Sequence, residues 1–244
     1  MTDLTESKDA LRAACWQAIR DAGAARFPGV EGRIPNFVGA EAAARHLAAD
    51  PRFQAARVLK SNPDSPQRPV RHAALLAGKT VFVAVPKLAD EAPFLRLDPS
   101  RIPKERLWEA SSIKGADALG EPTALADMPP IDLIVTGCVG VTRDGARLGK
   151  GGGYADLEYA LLREHGLVTE DTPIVSTVHP CQLLPEGAVP MAEHDTSLDA
   201  VFLPDGPHVC ARPFRRPEGV LADSLEPAKR DAIPALAGRA ARGD

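Results

Sequence analysis

A glycine-rich stretch in the second half of the chain carries the residue types of a phosphate-binding turn. Four glycines and Lys150 occupy positions 149–153, Arg147 lies just before them, and a helical pattern begins at Tyr154. The first N–H groups of a helix lack intrahelical partners and the helix dipole favours anions, while glycines let the backbone approach a bulky anion. The stretch therefore predicts an anion site, although a β-α turn without a ligand would also use glycines.

Asp156 follows these glycines within the first turn of the predicted helix. A carboxylate beside a polyphosphate would be repelled unless a cation lay between them, and Mg²⁺ is commonly held by phosphates and one or two carboxylates. The alternative is an interaction with the helix dipole, worth about 0.3–1 kcal/mol. The stretch matches neither the P-loop pattern nor the dinucleotide pattern, since Tyr154 stands where the last glycine would be.

Alternating strand and helix patterns must position this turn. Apolar runs predict strands at 80–85, 131–136, 173–178, 199–203 and 208–211, the last two as a pair. Helical spacing predicts helices at 7–22, 39–59 with a break near Asp50-Pro51, 70–77, 154–165 and after 224. We interpret 61–69 as a loop and 86–103 as irregular. Strands that alternate with helices predict a mainly parallel sheet covered on both faces.

The composition is that of one ordinary globular α/β domain. Of the 244 residues, 44% are hydrophobic and 25% are charged, and the formal net charge is -4, which argues against nucleic-acid binding. No apolar run approaches the ~20 residues that a membrane span needs, and the N-terminus lacks a signal-peptide pattern. We therefore predict a cytoplasmic protein with one domain at 1–222 and a C-terminal helix and tail at 223–244.

The four cysteines indicate neither a disulfide framework nor a metal site. They are widely spaced and include no C-x-x-C pair. A zinc site drawn from His179, Cys181, His194 and Cys210 would match no standard spacing. A catalytic pair of Cys181 and His179 is also disfavoured, because alternate residues of a strand face opposite ways.

The ordered motifs of the chain resemble those of the 5-formyltetrahydrofolate cyclo-ligase family, also called methenyltetrahydrofolate synthetases. The family hallmark R-L-G-x-G-x-G-Y-Y-D stands here at 147–156, with Ala155 in place of the second tyrosine. Further matches in chain order are Lys8 to Arg12, Gly78 to Val81, Asp132 to Gly137, Gln182, and His194 to Asp199. The segments 33–37, 153–160 and 193–195 resemble the methenyltetrahydrofolate synthetase domain-containing branch.

The resemblance implies a fold and an activity. The fold would be a three-layer α/β/α sandwich around a mainly parallel sheet, of the NagB/RpiA/CoA-transferase-like type. The activity would be ATP- and Mg²⁺-dependent closure of 5-formyltetrahydrofolate to 5,10-methenyltetrahydrofolate. In that reaction the formyl oxygen is phosphorylated, N10 attacks the activated carbon, and phosphate departs. By this resemblance the protein would be a monomer that acts on a small-molecule substrate, a reduced folate or an analogue.

The resemblance also implies roles for individual residues. The residues implied for ATP binding are Lys8, Arg12, Arg147, Gly149, Lys150, Gly151, Gly152, Gly153, Tyr154 and Asp156. Lys150, Arg147 and Tyr154 would act in catalysis, Asp64, Tyr154 and Gln182 would bind the substrate, and Asp156 and Asp195 would bind Mg²⁺. From the residues alone, Lys8 and Arg12 could instead form a solvated helix face, and Asp195 could be a cap or turn residue.

The substrate half departs from the family pattern more than the ATP half does. Ala155 replaces a tyrosine, Thr136 replaces a proline, and 139–141 reads Val-Gly-Val where the family has A-F-D. A flat pterin needs stacking partners. Trp16, Phe27 and Phe37 could replace them, although we expect these three in the core. The alternatives are a paralogous ATP-dependent ligase for another N-acyl or carboxylate substrate, such as a thiamine-related one, or a non-catalytic nucleotide-binding module.

Overall fold

The computed structural model describes residues 2–221 and 225–237. The helices are α1 Thr2–Asp21, α2 Ala40–Ala49, α3 Pro51–Ala55, α4 Arg68–Leu76, α5 Leu107–Ala110, α6 Ile113–Leu119, α7 Tyr154–Glu164 and α8 Pro227–Asp231. The strands are β1 Val58–Ser61, β2 Thr80–Ala84, β3 Phe94–Leu97, β4 Glu121–Thr123, β5 Leu133–Val135, β6 Gly140–Thr142, β7 Arg147–Leu148, β8 Ile174–Thr177, β9 Leu183–Leu184, β10 Ala200–Leu203 and β11 Gly206–Val209.

A central sheet of eight strands organises the molecule. Its order is β11-β10-β8-β5-β1-β2-β3-β4. The five strands from β10 to β2 are parallel, while β11 at one edge and β3 and β4 at the other are antiparallel. The chain leaves β1 towards one edge and later returns to β5 on its other side, so the order reverses between these strands. Clefts at the carboxyl ends of strands beside such a reversal are favoured ligand sites.

Two apolar clusters cover the two faces of this sheet. Helices α2 to α6 pack on one face, where Leu59, Val81 and Leu133 are buried against them. Helix α7 packs on the other face, where Phe82 and Ile134 are buried. A small sheet in the order β7-β6-β9 and helix α1 lie beside these layers. The arrangement confirms the predicted three-layer α/β/α sandwich around a mainly parallel sheet.

Three strands of the central sheet, β1, β3 and β4, were not predicted. Residues 58–59 begin the central strand β1 rather than ending a helix, and β3 lies in the segment predicted to be irregular. Lys60 interrupts the apolar pattern of β1, yet it is only 1% exposed. The strand tolerates this lysine because Lys60 forms an ion pair with Glu158 of α7 across the layer. A buried charge is stable only when paired, and the partner lies far away in sequence.

The chain after β11 returns to the domain. Residues Ile233 and Leu236 are buried in the same cluster as residues of α7. The predicted C-terminal helix is present as the short α8, while the predicted tail at 238–244 lies outside the described residues. Within the described part of the chain, no helix has both the length and the apolar character needed to cross a bilayer.

Candidate active site

A cavity of about 620 Å³ opens at the carboxyl ends of β1, β2 and β5, beside the reversal of strand order. Its walls come from the segment after β1, the segment after β2, the loop 28–34, and the turn from β7 into α7. The residues of that turn that line the cavity are Arg147, Gly149, Lys150, Gly152, Gly153, Tyr154, Ala155 and Asp156. The predicted glycine-rich turn is therefore one wall of a ligand-sized cavity.

The glycines of the loop are required by both backbone conformation and close approach. Gly151 and Gly153 have φ of +103° and +63°, which disfavour L side chains, and Gly153 precedes the first residue of α7. A Cβ on Gly149 would lie 3.2 Å from Nη1 of Arg147, and one on Gly152 would lie 3.1 Å from the ring of Tyr154. The loop is thus packed against cationic and aromatic side chains.

Arg147 and Asp156 form a buried ion pair in this wall of the cavity. Nη2 of Arg147 donates to Oδ1 of Asp156 at 2.5 Å, and Thr196 donates to the same oxygen through its N–H and its hydroxyl. Burial acts to raise the pKa of Asp156, but Arg147 and Thr196 together hold that pKa below its ordinary value. Burial acts to lower the pKa of Arg147, and Asp156 outweighs it so that the pKa is raised.

Helix α1 carries both predicted cations, and Arg12 contacts the loop. Arg12 donates from Nε to the carbonyl of Gly149 at 2.8 Å, and its guanidinium lies 3.6 Å from the position of a Cβ on Gly151. Lys8 instead forms a 2.5 Å ion pair with Asp195. Both cations are buried, so the predicted alternative of a solvated helix face does not describe them. Neither side chain lines the cavity itself.

The two aspartates predicted to bind a metal occupy different places. Asp156 lines the cavity. Asp195 accepts from Lys8 and from the N–H of Ala192 at 2.7 Å and lies away from the cavity wall. Among the described residues, no group of three or more His, Cys, Asp or Glu side chains could hold a metal ion. Of the two residues, Asp156 alone is placed where a ligand in the cavity could meet it.

Of the three residues predicted to bind the substrate, two line the cavity and one does not. Asp64 lines the cavity opposite the glycine loop and accepts from Lys150 at 3.1 Å, and Tyr154 lines the cavity as well. Gln182 is buried outside the cavity wall, and its amide donates to the carbonyls of Cys138 and Val139 at 3.0 and 3.1 Å. Gln182 therefore holds the segment after β5 in place.

Comparison with known proteins identifies the family. The model of the 5-formyltetrahydrofolate cyclo-ligase family matches residues 4–204. The chain belongs to this family. It is 37% identical over 235 residues to the methenyltetrahydrofolate synthase domain-containing protein of Mus musculus and 33% identical over 241 residues to that of Homo sapiens, covering 94% and 97% of this chain. It spans 62% of the length of each of these relatives.

A solved structure shows the same fold. The structure of Aquifex aeolicus 5,10-methenyltetrahydrofolate synthetase superposes with a TM-score of 0.52 at 17% identity, covering 85% of this chain and 94% of that one. At this identity the likeness extends to the fold. The chemistry of the cavity must therefore be argued from the residues that line it.

A polar network missed by the sequence patterns lies under the cavity of this cyclo-ligase family member. Glu158 lines the cavity, pairs with Lys60 and accepts from Nδ2 of Asn62 at 3.0 Å. Oδ1 of Asn62 accepts from the N–H of Gly137 at 3.2 Å. The network ties β1, β5 and α7 together at the strand reversal. The only local signals of this network were a lysine within an apolar run and Glu158, which follows the apolar Leu157 in α7.

Arg71 of α4 fixes the segment that follows β1. Its fully buried guanidinium donates to the carbonyls of Asn62, Pro63 and Asp64, and also to Ser111 at 2.9 Å. Burial lowers the pKa of Arg71, and the carboxylate of Asp64 acts against that shift. Arg71 thereby holds three consecutive residues of the cavity wall, Asn62, Pro63 and Asp64. A single arginine in a predicted helix gave no indication of this role.

The pair of His179 and Cys181 differs from its predicted geometry. The two residues lie in a 3₁₀ turn rather than a strand, and His179 Nδ1 is 2.9 Å from Sγ of Cys181. Burial lowers the pKa of His179 and raises the pKa of Cys181, which disfavours a thiolate-imidazolium pair. Nδ1 of His179 also accepts from the N–H of Cys181 at 3.4 Å and so caps the turn. The described residues contain no zinc cluster drawn from these side chains.

The aromatic residues expected in the core divide three ways. Phe37 is buried and Trp16 packs half-buried against the core, as expected. Phe27 is 92% exposed, so the expectation of core burial was wrong for it. Tyr154 is the aromatic side chain in the described cavity wall. Residues 139–141 are buried around β6 and supply no aromatic surface to the cavity.

Proposed function

We propose that this protein is an ATP- and Mg²⁺-dependent cyclo-ligase that converts 5-formyltetrahydrofolate to 5,10-methenyltetrahydrofolate. The observation that carries the proposal is the ligand-sized cavity lined by the glycine loop, Arg147, Lys150 and Asp64, in which Lys150 pairs with Asp64 at 3.1 Å. Membership of the cyclo-ligase family supports it. Two substrates must meet in this reaction, and a volume of about 620 Å³ at the strand reversal suits their reacting ends.

The loop has the donors that a polyphosphate needs. The N-terminal N–H groups of α7 follow the loop directly, and Gly153 offers no side chain that would cap them. Nε of Arg147 is buried without a hydrogen-bond partner among the described residues, so it has an unused donor. Lys150 has a side chain that is 48% exposed and can follow a mobile phosphoryl group. These groups neutralise negative charge where it develops during phosphoryl transfer.

Asp156 is suited to hold Mg²⁺. The three hydrogen bonds described for its carboxylate all end on Oδ1, and the residue lines the cavity. Its second oxygen has none of these bonds and could ligate a cation that is otherwise held by phosphates and water. When bound, the ion would offset the charge of the triphosphate. Asp195 would act indirectly, because it pairs with Lys8 of α1 rather than facing the cavity.

ATP supplies the phosphoryl group that turns the formyl oxygen into a leaving group. Arg147, Lys150 and the loop would orient the γ-phosphate in line with that oxygen. Tyr154 would pack against the substrate or the nucleotide base. Asp64, held by Arg71 through its backbone, would contact the substrate from the opposite wall. The substrate loses the N10 proton as N10 bonds to the formyl carbon and the oxygen leaves with phosphate.

The test uses purified protein, MgATP and 5-formyltetrahydrofolate, with methenyltetrahydrofolate followed by its near-ultraviolet absorbance. A reaction without ATP and a reaction with Lys150→Ala are the controls. We expect product only when ATP is present and a slower rate with Lys150→Ala. No product from a folded protein that still binds ATP would contradict the folate activity.

The cavity wall favours one alternative substrate class. A single aromatic side chain, Tyr154, faces the cavity within the described chain, and Ala155 beside it offers no second ring. A smaller N-acyl or carboxylate substrate would fit such a wall with less need for stacking. In this alternative a paralogous ATP-dependent ligase would use the same phosphate loop. ATP hydrolysis that requires an N-acyl or carboxylate compound other than 5-formyltetrahydrofolate would distinguish this alternative from the folate enzyme.

The proposed enzyme would work as a monomer in the cytoplasm on a small-molecule folate, without nucleic-acid or membrane partners. The net charge of -4 supports the absence of a nucleic-acid surface. The large exposed hydrophobic side chains of the described residues are Phe27, Val38, Leu76, Trp108, Ile113 and Val209. Size-exclusion chromatography with light scattering would give a mass near 25.8 kDa for a monomer.

A further inference from the structure

The C-terminal segment brings a cation to the glycine loop. The family match ends at residue 204, yet residues 225–237 pack on the domain, where Ile233 and Leu236 are buried in the cluster that includes α7. Helix α8 precedes these anchors and carries Lys229. The placement of Lys229 therefore depends on buried apolar contacts rather than on a loosely attached end.

Lys229 contacts three consecutive residues of the cavity wall. Its Nζ donates to the carbonyl of Gly152 at 2.7 Å and lies 3.2 Å from the position that a Cβ of Gly153 would occupy. The ammonium also lies 4.5 Å from the centre of the Tyr154 ring, in the range of a cation–π contact. All three residues line the cavity. The ammonium thus sits at the junction of the loop and α7.

The surroundings of the Lys229 ammonium leave hydrogen-bond donors available for an anion. A lysine has three donors, and the described bonds of Lys229 use one of them, on Gly152. Burial lowers the pKa of Lys229, while the carboxylates of Asp156 and Glu226 act in the opposite direction. A phosphate at the start of α7 would supply the missing acceptor and offset the cost of burying the charge.

We propose that Lys229 is a phosphate-binding residue that the C-terminal segment adds to the glycine loop, with a triphosphate as its ligand. The inference rests on the proposed function, because it names a further group for the same nucleotide. Lys229 lies outside residues 4–204, the range that the family model matches. Lys229 would meet the phosphate chain from the α8 side, while Arg147 and Lys150 meet it from the cavity side.

The alternative is that Lys229 only fastens the C-terminal segment to the loop. That role would be seen in stability, whereas phosphate binding would be seen in affinity. Lys229→Met keeps the aliphatic stem and removes the charge, and Lys229→Arg keeps the charge. Arg230→Ala is the matched control, since Arg230 is the next residue of α8 and pairs with Asp231. Thermal unfolding and circular dichroism would verify that each variant folds, with Lys229→Gln as a substitute if Lys229→Met does not.

Isothermal titration calorimetry with MgATP and with inorganic tripolyphosphate tests the proposal. We expect Lys229→Met to raise the Kd of both ligands by about 10- to 100-fold, the range for a hydrogen bond to a charged group. Lys229→Arg should stay within about threefold of the wild type, and Arg230→Ala should leave both Kd values unchanged. Because the contact is ionic, the difference between wild type and Lys229→Met should shrink as salt is added.

The outcomes separate the two proposals. Unchanged Kd values in folded Lys229→Met would overturn the role of Lys229 while leaving the cyclo-ligase proposal intact. Binding of tripolyphosphate but not MgATP to the wild type, weakened in Lys229→Met, would support the lysine site and contradict the ATP-dependent function. A wild-type protein that binds neither ligand would refute both.

Discussion

Arg147 and Asp156 form a buried 2.5 Å ion pair where the glycine loop meets α7. Both residues line the cavity, and each is the counter-charge of the other. A buried ion pair contributes little net stability when intact, but the loss of one partner leaves an uncompensated charge. The pair therefore couples the charge that a ligand would meet to the stability of the loop, and substitutions in it act on both.

Asp156→Asn should destabilise the protein by about 3–5 kcal/mol at neutral pH, the range for a buried pair that loses one partner. It should also abolish Mg²⁺-dependent turnover. Urea unfolding and the proposed absorbance assay measure the two effects. The exposed Asp117→Asn is the control and should change neither. A fully stable Asp156→Asn variant would show that the Arg147 contact is not an important buried pair.

The same carboxylate gives a pH prediction. Burial favours the neutral acid, but Arg147 and Thr196 outweigh it and lower the pKa of Asp156 in the folded state. A lowered pKa contributes stability that is present above the unfolded value of about 3.9 and is lost as pH falls through the folded pKa. Unfolding free energies between pH 5 and 3 should therefore fall less steeply for Asp156→Asn than for the wild type. Parallel curves would contradict the assignment.

Glu158→Gln should cost about 3–5 kcal/mol because it leaves Lys60 buried without its counter-ion. The double variant Lys60→Met with Glu158→Gln should recover much of that loss, since it removes the unpaired charge. A double-mutant cycle measured by urea unfolding gives the coupling. Additive effects of the two substitutions would mean that the pair does not interact energetically.

Gly151→Ala should raise the KM for ATP by about tenfold, because alanine is strained at a φ of +103° and a shift of the loop would misplace the groups that meet the phosphates. Gly151 has φ of +103° and lies against the guanidinium of Arg12. Gly166→Ala is the control, because Gly166 also has positive φ, +68°, but has open space around it. Both variants should lose about 1–2 kcal/mol of stability. An equal effect of both on KM would indicate general destabilisation.

Lys150→Ala should weaken ATP binding by about tenfold or more, because it removes a charge-assisted contact to phosphate. Its stability should change little, since the ion pair with Asp64 is exposed on the lysine side. Calorimetric titration with MgATP measures the affinity. Lys104→Ala, an exposed lysine in a short 3₁₀ turn, is the control. Equal affinities for Lys150→Ala and Lys104→Ala would remove Lys150 from the phosphate site.

Local patterns were sufficient for part of the fold and for one wall of the site. The glycine loop, Arg147 and Asp156 lie within ten residues, so their spacing alone places them at the start of α7. Helical periodicity likewise places Lys8 and Arg12 on one side of α1, where both are buried and Arg12 contacts the loop. The alternation of strands and helices along the chain predicted a mainly parallel sheet and its parallel strands other than β1.

Long-range pairing accounts for what the sequence could not reveal. The charge of Lys60 made the sequence of β1 unlike that of a buried strand. The partner that neutralises it, Glu158, lies far along the chain in α7. Gln182 and Asp195 have residue types suited to ligands, but carbonyls and Lys8 occupy them in the folded chain. Lys229 lies in a five-residue helix with no pattern of its own, and only the packing of Ile233 and Leu236 brings it to the loop.

The most direct test of the central claim follows the formyl oxygen itself. 5-Formyltetrahydrofolate labelled with ¹⁸O in the formyl group is converted with MgATP, and the inorganic phosphate formed is analysed by mass spectrometry. If the loop aligns the γ-phosphate with this oxygen, one ¹⁸O atom should appear in phosphate for each methenyltetrahydrofolate produced. Product formed with unlabelled phosphate, and with the label in water, would contradict the proposed phosphorylation of the formyl group.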